Sequence, residues 1–232
     1  MALPETGFYI AIRRKVVYDK VRIPAVHKVK QSGIIAEMRQ VCSGQNWIKE
    51  QRTMGHFYFV RHGQTVWNVE NKICGATDSP LTEHGRQQAA ETGKNIVESG
   101  IKADEILYSP LSRAADTAKI ISEMSGIPCR EEPRLIEQNF GKWESTPRDG
   151  KEFKKAKESF ACRYEGGESM LQLAQRIYNL LDEIKQESDH KTYILVAHNG
   201  ISRMIQSYFT DMTNEEFASF GVKNCQVVRY DF

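Results

Sequence analysis

The chain has 232 residues, of which 40% are hydrophobic and 27% charged, with a net charge of +2. That balance supports one sizeable core and excludes a disordered polypeptide. No apolar run approaches the roughly 18 residues of a membrane span. The short apolar stretch 7–12 has Arg13, Arg14 and Lys15 after it, the reverse of a secretory signal, so a cytoplasmic location is expected.

In chain order, residues 8–41 alternate loosely between apolar and charged side chains. Segments 8–17 and 20–29 are candidate strands, the second confined to a sheet edge by Pro24. Residues 1–53 hold ten Lys and Arg against four Asp and Glu, leaving 22 against 26 for the remainder. This basic arm has no nucleic-acid signature. It reads as a non-catalytic extension, β-like or poorly ordered, ahead of a domain of residues 54–232. The five cysteines, Cys42, Cys74, Cys129, Cys162 and Cys225, include no CxxC pair. They are expected to be reduced structural thiols rather than a zinc site.

At residue 54 the pattern changes. Phe57-Tyr58-Phe59-Val60 reads as a buried strand that runs into Arg61-His62-Gly63. Thr82 is placed to cap a helix with Ala89, Ala90, Ile96 and Val97 as its apolar or small residues. Residues 105–108 form a second strand, and Ser109 and Pro110 suit the N-cap and first position of a helix running to Met124. After Gly166-Gly167, residues 169–186 repeat Leu173, Ile177, Leu180, Leu181 and Ile184 at helical spacing. Tyr193-Ile194-Leu195-Val196 is a third strand leading to His198, followed by a helix over 200–209 and a last strand over 226–230. Strands alternating with helices predict an α/β fold, a three-layer αβα sandwich around a mostly parallel sheet.

Ligands of open α/β sheets bind beyond the carboxyl ends of the strands. Those ends carry Arg61-His62-Gly63, Ser109 leading to Arg113, and His198-Asn199-Gly200. Two histidines and two arginines converging on one crevice make an anion site that contains a nucleophile. Phosphate suits it, because a dianion needs several fixed donors and Arg offers a rigid fork. The helix N-termini near Ser109 and Gly200 are expected to add free N–H groups.

The motifs and their order resemble the histidine phosphatase superfamily, also called phosphoglycerate mutase-like. They are Arg61-His62-Gly63-Gln64-Thr65 with Trp67-Asn68; Gly75 through Thr82; Ser109-Pro110-Leu111-Ser112-Arg113-Ala114; Leu135-Ile136-Glu137 through Glu144; Gly166-Gly167-Glu168-Ser169; and Val196-Ala197-His198-Asn199-Gly200. The resemblance implies that His62 is the nucleophile, that Arg61, Arg113 and His198 bind the equatorial phosphate oxygens, and that Glu137 protonates the leaving oxygen. It also implies that Asn68 and either Gln64 or Thr65 add hydrogen bonds at the pocket rim, with Asn199 in the pocket wall. No cofactor and no metal are implied, since arginines supply the positive charge.

Two positions depart from the family pattern: Asn199 and Ser145 stand where members often have Gly. Asn199 is expected to be tolerated because Asn accepts unusual backbone angles. The lysine-rich stretch 146–165 resembles nothing specific and is expected to cap the pocket. The resemblance implies a phosphatase acting on a small phosphomonoester, with no nucleic acid or membrane partner and a homodimer left open. The alternatives are a cofactor-dependent phosphoglycerate mutase and a non-catalytic phosphate-binding or scaffold protein. The sequence Glu137-Gln138-Asn139-Phe140-Gly141 and the short insertion after it favour hydrolysis over mutase activity. Glu144 is the rival for the acid.

Overall fold

The computed structural model describes residues 55–232. The expectations for residues 1–53, and the boundary drawn there, lie outside the described residues. Five strands form one sheet: β1 His56–Arg61, β2 Glu105–Tyr108, β3 Cys129–Glu131, β4 Tyr193–Ala197 and β5 Val227–Asp231, in the order β3-β2-β4-β1-β5. β1 pairs parallel with β4, β4 with β2 and β2 with β3, while β5 runs antiparallel on the far edge. The helices are α1 Val66–Val69, α2 Glu83–Glu98, α3 Ser112–Ser125, α4 Lys151–Ala156, α5 Met170–Glu187, α6 Asn199–Phe209 and α7 Asn214–Ser219.

The side-chain period of two divides the strands between two cores. Phe57 and Phe59 of β1 and Leu195 of β4 pack on one face with Leu173, Ile177, Leu180, Leu181 and Ile184 of α5 and Ile201 and Ile205 of α6. Tyr58, Val60, Ile194 and Val196 point the other way, onto Ile96 of α2 and Ala118 and Ile121 of α3. This is the three-layer sandwich expected. A third, small cluster of Ile73, Phe140, Phe153 and Tyr164 lies apart from the sheet.

Three details differ from the sequence reading. Ser109 does not cap α3: that helix begins at Ser112 with Leu111 as its cap residue and no capping side chain. Asp78 Oδ2 accepts from the Ser112 amide instead, at 2.6 Å. Val97, expected on the apolar side of α2, is 55% exposed, whereas Ala89 and Ile96 are buried. Asn199 sits in the first turn of α6 rather than at unusual backbone angles; its Oδ1 accepts from the Val222 amide and ties the helix to the loop before β5. Ser145 does adopt a left-handed angle, with φ of 65°, which gives the physical reason why glycine suits that position. No helix among the described residues is long and apolar enough to cross a membrane.

Candidate active site

β1 and β4 lie side by side in parallel, with Arg61 in register with Ala197, so His62 and His198 leave adjacent strand ends together. Their ring centroids are 5.1 Å apart. His62 Nδ1 lies 2.7 Å from the Gly63 carbonyl oxygen. A carbonyl only accepts, so Nδ1 carries the hydrogen and Nε2 keeps its lone pair. No described residue bonds Nε2, and the ring lines a cavity of about 180 Å³. Burial holds the His62 ring well below the ordinary histidine range, and Arg113 and Arg61 push the same way. The imidazole is therefore neutral at neutral pH, which is the form that can attack.

The loop bearing His62 is clamped from behind. Gly63 N donates to Thr117 Oγ1 at 3.0 Å, and Asn224 Nδ2 donates to the His62 carbonyl at 2.7 Å. A Cβ on Gly63 would come within 2.4 Å of the Gly85 carbonyl, so that close approach of loop and helix requires glycine.

Arg61 sends Nη1 to the Val222 carbonyl at 2.8 Å. Its Nε is buried with no hydrogen-bond partner. Leaving a buried donor unpaired is costly, and an anion in the cavity would satisfy it. Burial and the neighbouring Arg148 lower this guanidinium to about 10, and an anion would relieve that too.

Arg113 is 1% exposed, and each of its three guanidinium nitrogens has a protein partner. Nη2 donates to the Gly75 carbonyl at 2.7 Å, Nη1 to the Thr77 carbonyl at 3.0 Å and to Asp78 at 3.3 Å, and Nε to His198 Nδ1 at 3.2 Å. His198 is consequently fixed as well. Nδ1 accepts from Arg113, so Nε2 carries the hydrogen and donates to Ser109 Oγ at 2.6 Å. Ser109, expected at a helix cap, instead holds the second histidine. In this arrangement the side-chain nitrogens of Arg113 and His198 rest on protein partners, and neither residue lines the cavity.

Glu137 lines the cavity and accepts from the Gly200 amide at 2.9 Å through Oε2 and from the Gln138 amide at 2.9 Å through Oε1. The free amides expected at the two helix N-termini are thus spent on the chain's own carboxylates, Asp78 at α3 and Glu137 at α6. Glu144, the rival acid, lies outside the cavity wall. Its oxygens accept from the amides of Ala76, Thr77 and Phe140 and hold the turn that carries Gly75.

Asn68 and Asn199 line the cavity, whereas Gln64 and Thr65 do not. Thr65 is fully buried as the cap of α1, in a reciprocal pair with Asn68. Gln64 Oε1 accepts from Thr82 Oγ1 at 3.0 Å. The sequence reading missed Arg148, Lys157 and Arg203, which also line the wall together with Cys74, Phe140 and Phe153. The expected cap over the pocket is visible as the side chains of 148, 153 and 157. Arg203 has a weak signal only: on an amphipathic helix a lone arginine reads as solvated surface. Burial pushes the Cys74 thiol up to about 11, away from the thiolate form.

Residues 57–232 match the family description "Histidine phosphatase superfamily (branch 1)". The chain belongs to this superfamily. Among relatives of this histidine phosphatase domain, a Yersinia pestis protein named probable phosphoglycerate mutase GpmB is 32% identical over 182 residues, covering 75% of this chain and 84% of its own. A solved mycobacterial glucosyl-3-phosphoglycerate phosphatase, complexed with VO3, superposes with a TM-score of 0.66 at 26% identity over 75% of this chain and 90% of that one. The alpha-ribazole phosphatase of Shigella flexneri shares the fold, with a TM-score of 0.65 at 23% identity over 76% and 90%.

Proposed function

We propose that this histidine phosphatase hydrolyses a small phosphomonoester through a phosphohistidine on His62. The observation that carries the reading is the His62 ring: neutral, with Nδ1 locked on Gly63 and Nε2 facing a cavity that also holds Arg61 and Glu137. His62 Nε2 attacks phosphorus as the bond to the leaving oxygen breaks. Glu137 gives that oxygen its proton. In the second half, Glu137 takes a proton from water, the resulting oxygen attacks phosphorus, and the P–N bond breaks to release phosphate and neutral imidazole.

Arg61 steadies the charge that spreads over the phosphoryl oxygens. Arg113 and His198 form the rigid backing that sets the angle of the nucleophile, and Arg113 keeps a positive charge beside it. A cavity of about 180 Å³ is smaller than the roughly 300 Å³ at which pockets for drug-sized ligands begin, which supports a small phosphorylated molecule as the partner.

A second reading, the mutase, is favoured by the name of the Yersinia pestis relative. The short stretch after Glu137 supports hydrolysis. The deciding assay follows 3-phosphoglycerate with and without catalytic 2,3-bisphosphoglycerate, and p-nitrophenyl phosphate alongside. Phosphate release without isomerisation is the expected result. Rapid conversion to 2-phosphoglycerate that depends on the bisphosphate would assign the mutase, and no turnover of any phosphomonoester between about pH 5 and 8 would remove the enzymatic reading.

A further inference from the structure

No residue of Gly166-Gly167-Glu168-Ser169 lines the cavity, yet this motif lies against the stretch that carries Glu137. Residues 136–140 belong to no helix or strand. An irregular segment has no ladder of its own to fix a side chain, so its backbone groups find partners on packed elements. The Glu168 amide donates to the Asn139 carbonyl at 3.0 Å, and the Asn139 amide donates to Glu168 Oε1 at 3.1 Å. Gly167 permits that approach, since a Cβ there would lie 2.4 Å from the Asn139 carbonyl oxygen. Ser169 then caps α5, accepting from the Gln172 amide at 3.2 Å.

About two turns along, α5 presents Arg176. Its Nη2 donates to Glu168 Oε1 at 2.7 Å, and its Nε to Oε2 at 3.4 Å. The same guanidinium donates through Nη1 to the Arg134 carbonyl and through Nη2, at 3.4 Å, to the Glu137 carbonyl. Glu168 and Arg176 together therefore grip the main chain at 134, 137 and 139. A plain ion pair needs one contact between opposite charges. Here one cation serves a carboxylate and two carbonyls at once, which the planar fork of Arg can do and a lysine ammonium cannot match. α5 is a firm base for this grip, because Leu173, Ile177 and Leu180 seat it in the core. The backbone of Glu137 is thus referenced to α5, while its Oε2 is referenced to α6 through the Gly200 amide.

We propose that Arg176 and Glu168 are positioning residues for the proton transfer, holding the main chain of residue 137 where its carboxyl reaches the leaving oxygen. This rests on the reading that Glu137 is the acid.

The test compares kcat of the full chain on glycerol 3-phosphate, whose alkoxide needs a proton to leave, with kcat on p-nitrophenyl phosphate, whose phenolate does not. The ratio is taken within one preparation, so a misfolded fraction cancels from it. Arg176→Ala is expected to lower the alkyl-to-aryl ratio about tenfold or more. KM on each substrate should change less than about threefold, since neither residue lines the cavity. Arg176→Lys keeps the charge facing Glu168 without the fork, so the ratio falls while the melting temperature moves less than in Arg176→Ala. Glu168→Gln keeps an acceptor for the Asn139 amide but drops the charge facing Arg176, and lowers the ratio in the same direction. Added to Glu137→Gln, Arg176→Ala is expected to cost less than about threefold more in alkyl turnover, because the acid it serves is already gone. A merely structural pair would lose both activities in step, and Lys would restore them. An unchanged ratio in Arg176→Lys and Glu168→Gln, or full additivity with Glu137→Gln, overturns the positioning role. Failure of the acid reading shows separately, as a Glu137→Gln protein whose ratio equals that of the unaltered chain.

Discussion

Which nitrogen of each histidine carries the hydrogen decides what the site can do. At His62 the Gly63 carbonyl takes the Nδ1 hydrogen and leaves Nε2 as the base. At His198 the assignment is reversed, because Arg113 donates to Nδ1 and Ser109 accepts from Nε2. Two neighbouring imidazoles thereby hold opposite tautomers, and only one presents a lone pair to the cavity. Glu137 is the carboxylate in the wall. Glu137→Gln is expected to slow hydrolysis of an alkyl phosphate at least about a hundredfold and that of p-nitrophenyl phosphate far less, because p-nitrophenolate leaves without a proton and an alkoxide does not. Equal losses on the two substrates would move the acid role away from Glu137. The residues that were legible in the sequence are those whose chemistry sits inside a contiguous motif. Ser109 was misassigned because its position before a helix signals a cap, and its true partner lies 89 residues along the chain.

Elements explain why these groups meet. The N-terminus of α6 comes so close to Glu137 that a Cβ on Gly200 would lie 2.3 Å from Oε1. The amide of Gly200 is also one of the two that orient the carboxylate. Gly200→Ala is therefore expected to cost about tenfold or more in kcat on alkyl phosphates, since contacts that set a catalytic group to within an ångström matter to that degree. The melting temperature should change much less, because Ala is a better helix former than Gly. Activity unchanged on alkyl phosphates would show that Glu137 tolerates the shift. The strong elements, β1, β4 and α5, were readable because their apolar residues repeat at the period of the element. β3 was not: Cys129-Arg130-Glu131 offers three residues without alternation, and its pairing to β2 exists only once the sheet has formed. α4 was equally silent, since Lys151–Ala156 buries a single side chain, Phe153. The lining cations Arg148 and Lys157 flank that helix, so part of the cavity wall lay in the stretch with the weakest sequence signal.

At the scale of the whole domain, the sheet order brings the ends of β1, β4 and β2 together, and the two cores on either side fix those ends. Phe57, Phe59, Leu195 and Val196 are wholly buried, each worth about 1.5–3 kcal/mol relative to exposure. The rigidity that holds two histidine rings 5.1 Å apart is a consequence of that packing. The central claim is that this frame presents His62 as a covalent nucleophile, and a rapid-quench experiment with labelled phosphomonoester tests it directly. The account predicts acid-labile, alkali-stable phosphate on His62 that forms and decays at rates consistent with turnover, and no turnover in His62→Ala. Turnover without any phosphoenzyme, or His62→Ala activity within about tenfold of the unaltered protein, a difference of only about 1.4 kcal/mol in the barrier, would contradict it.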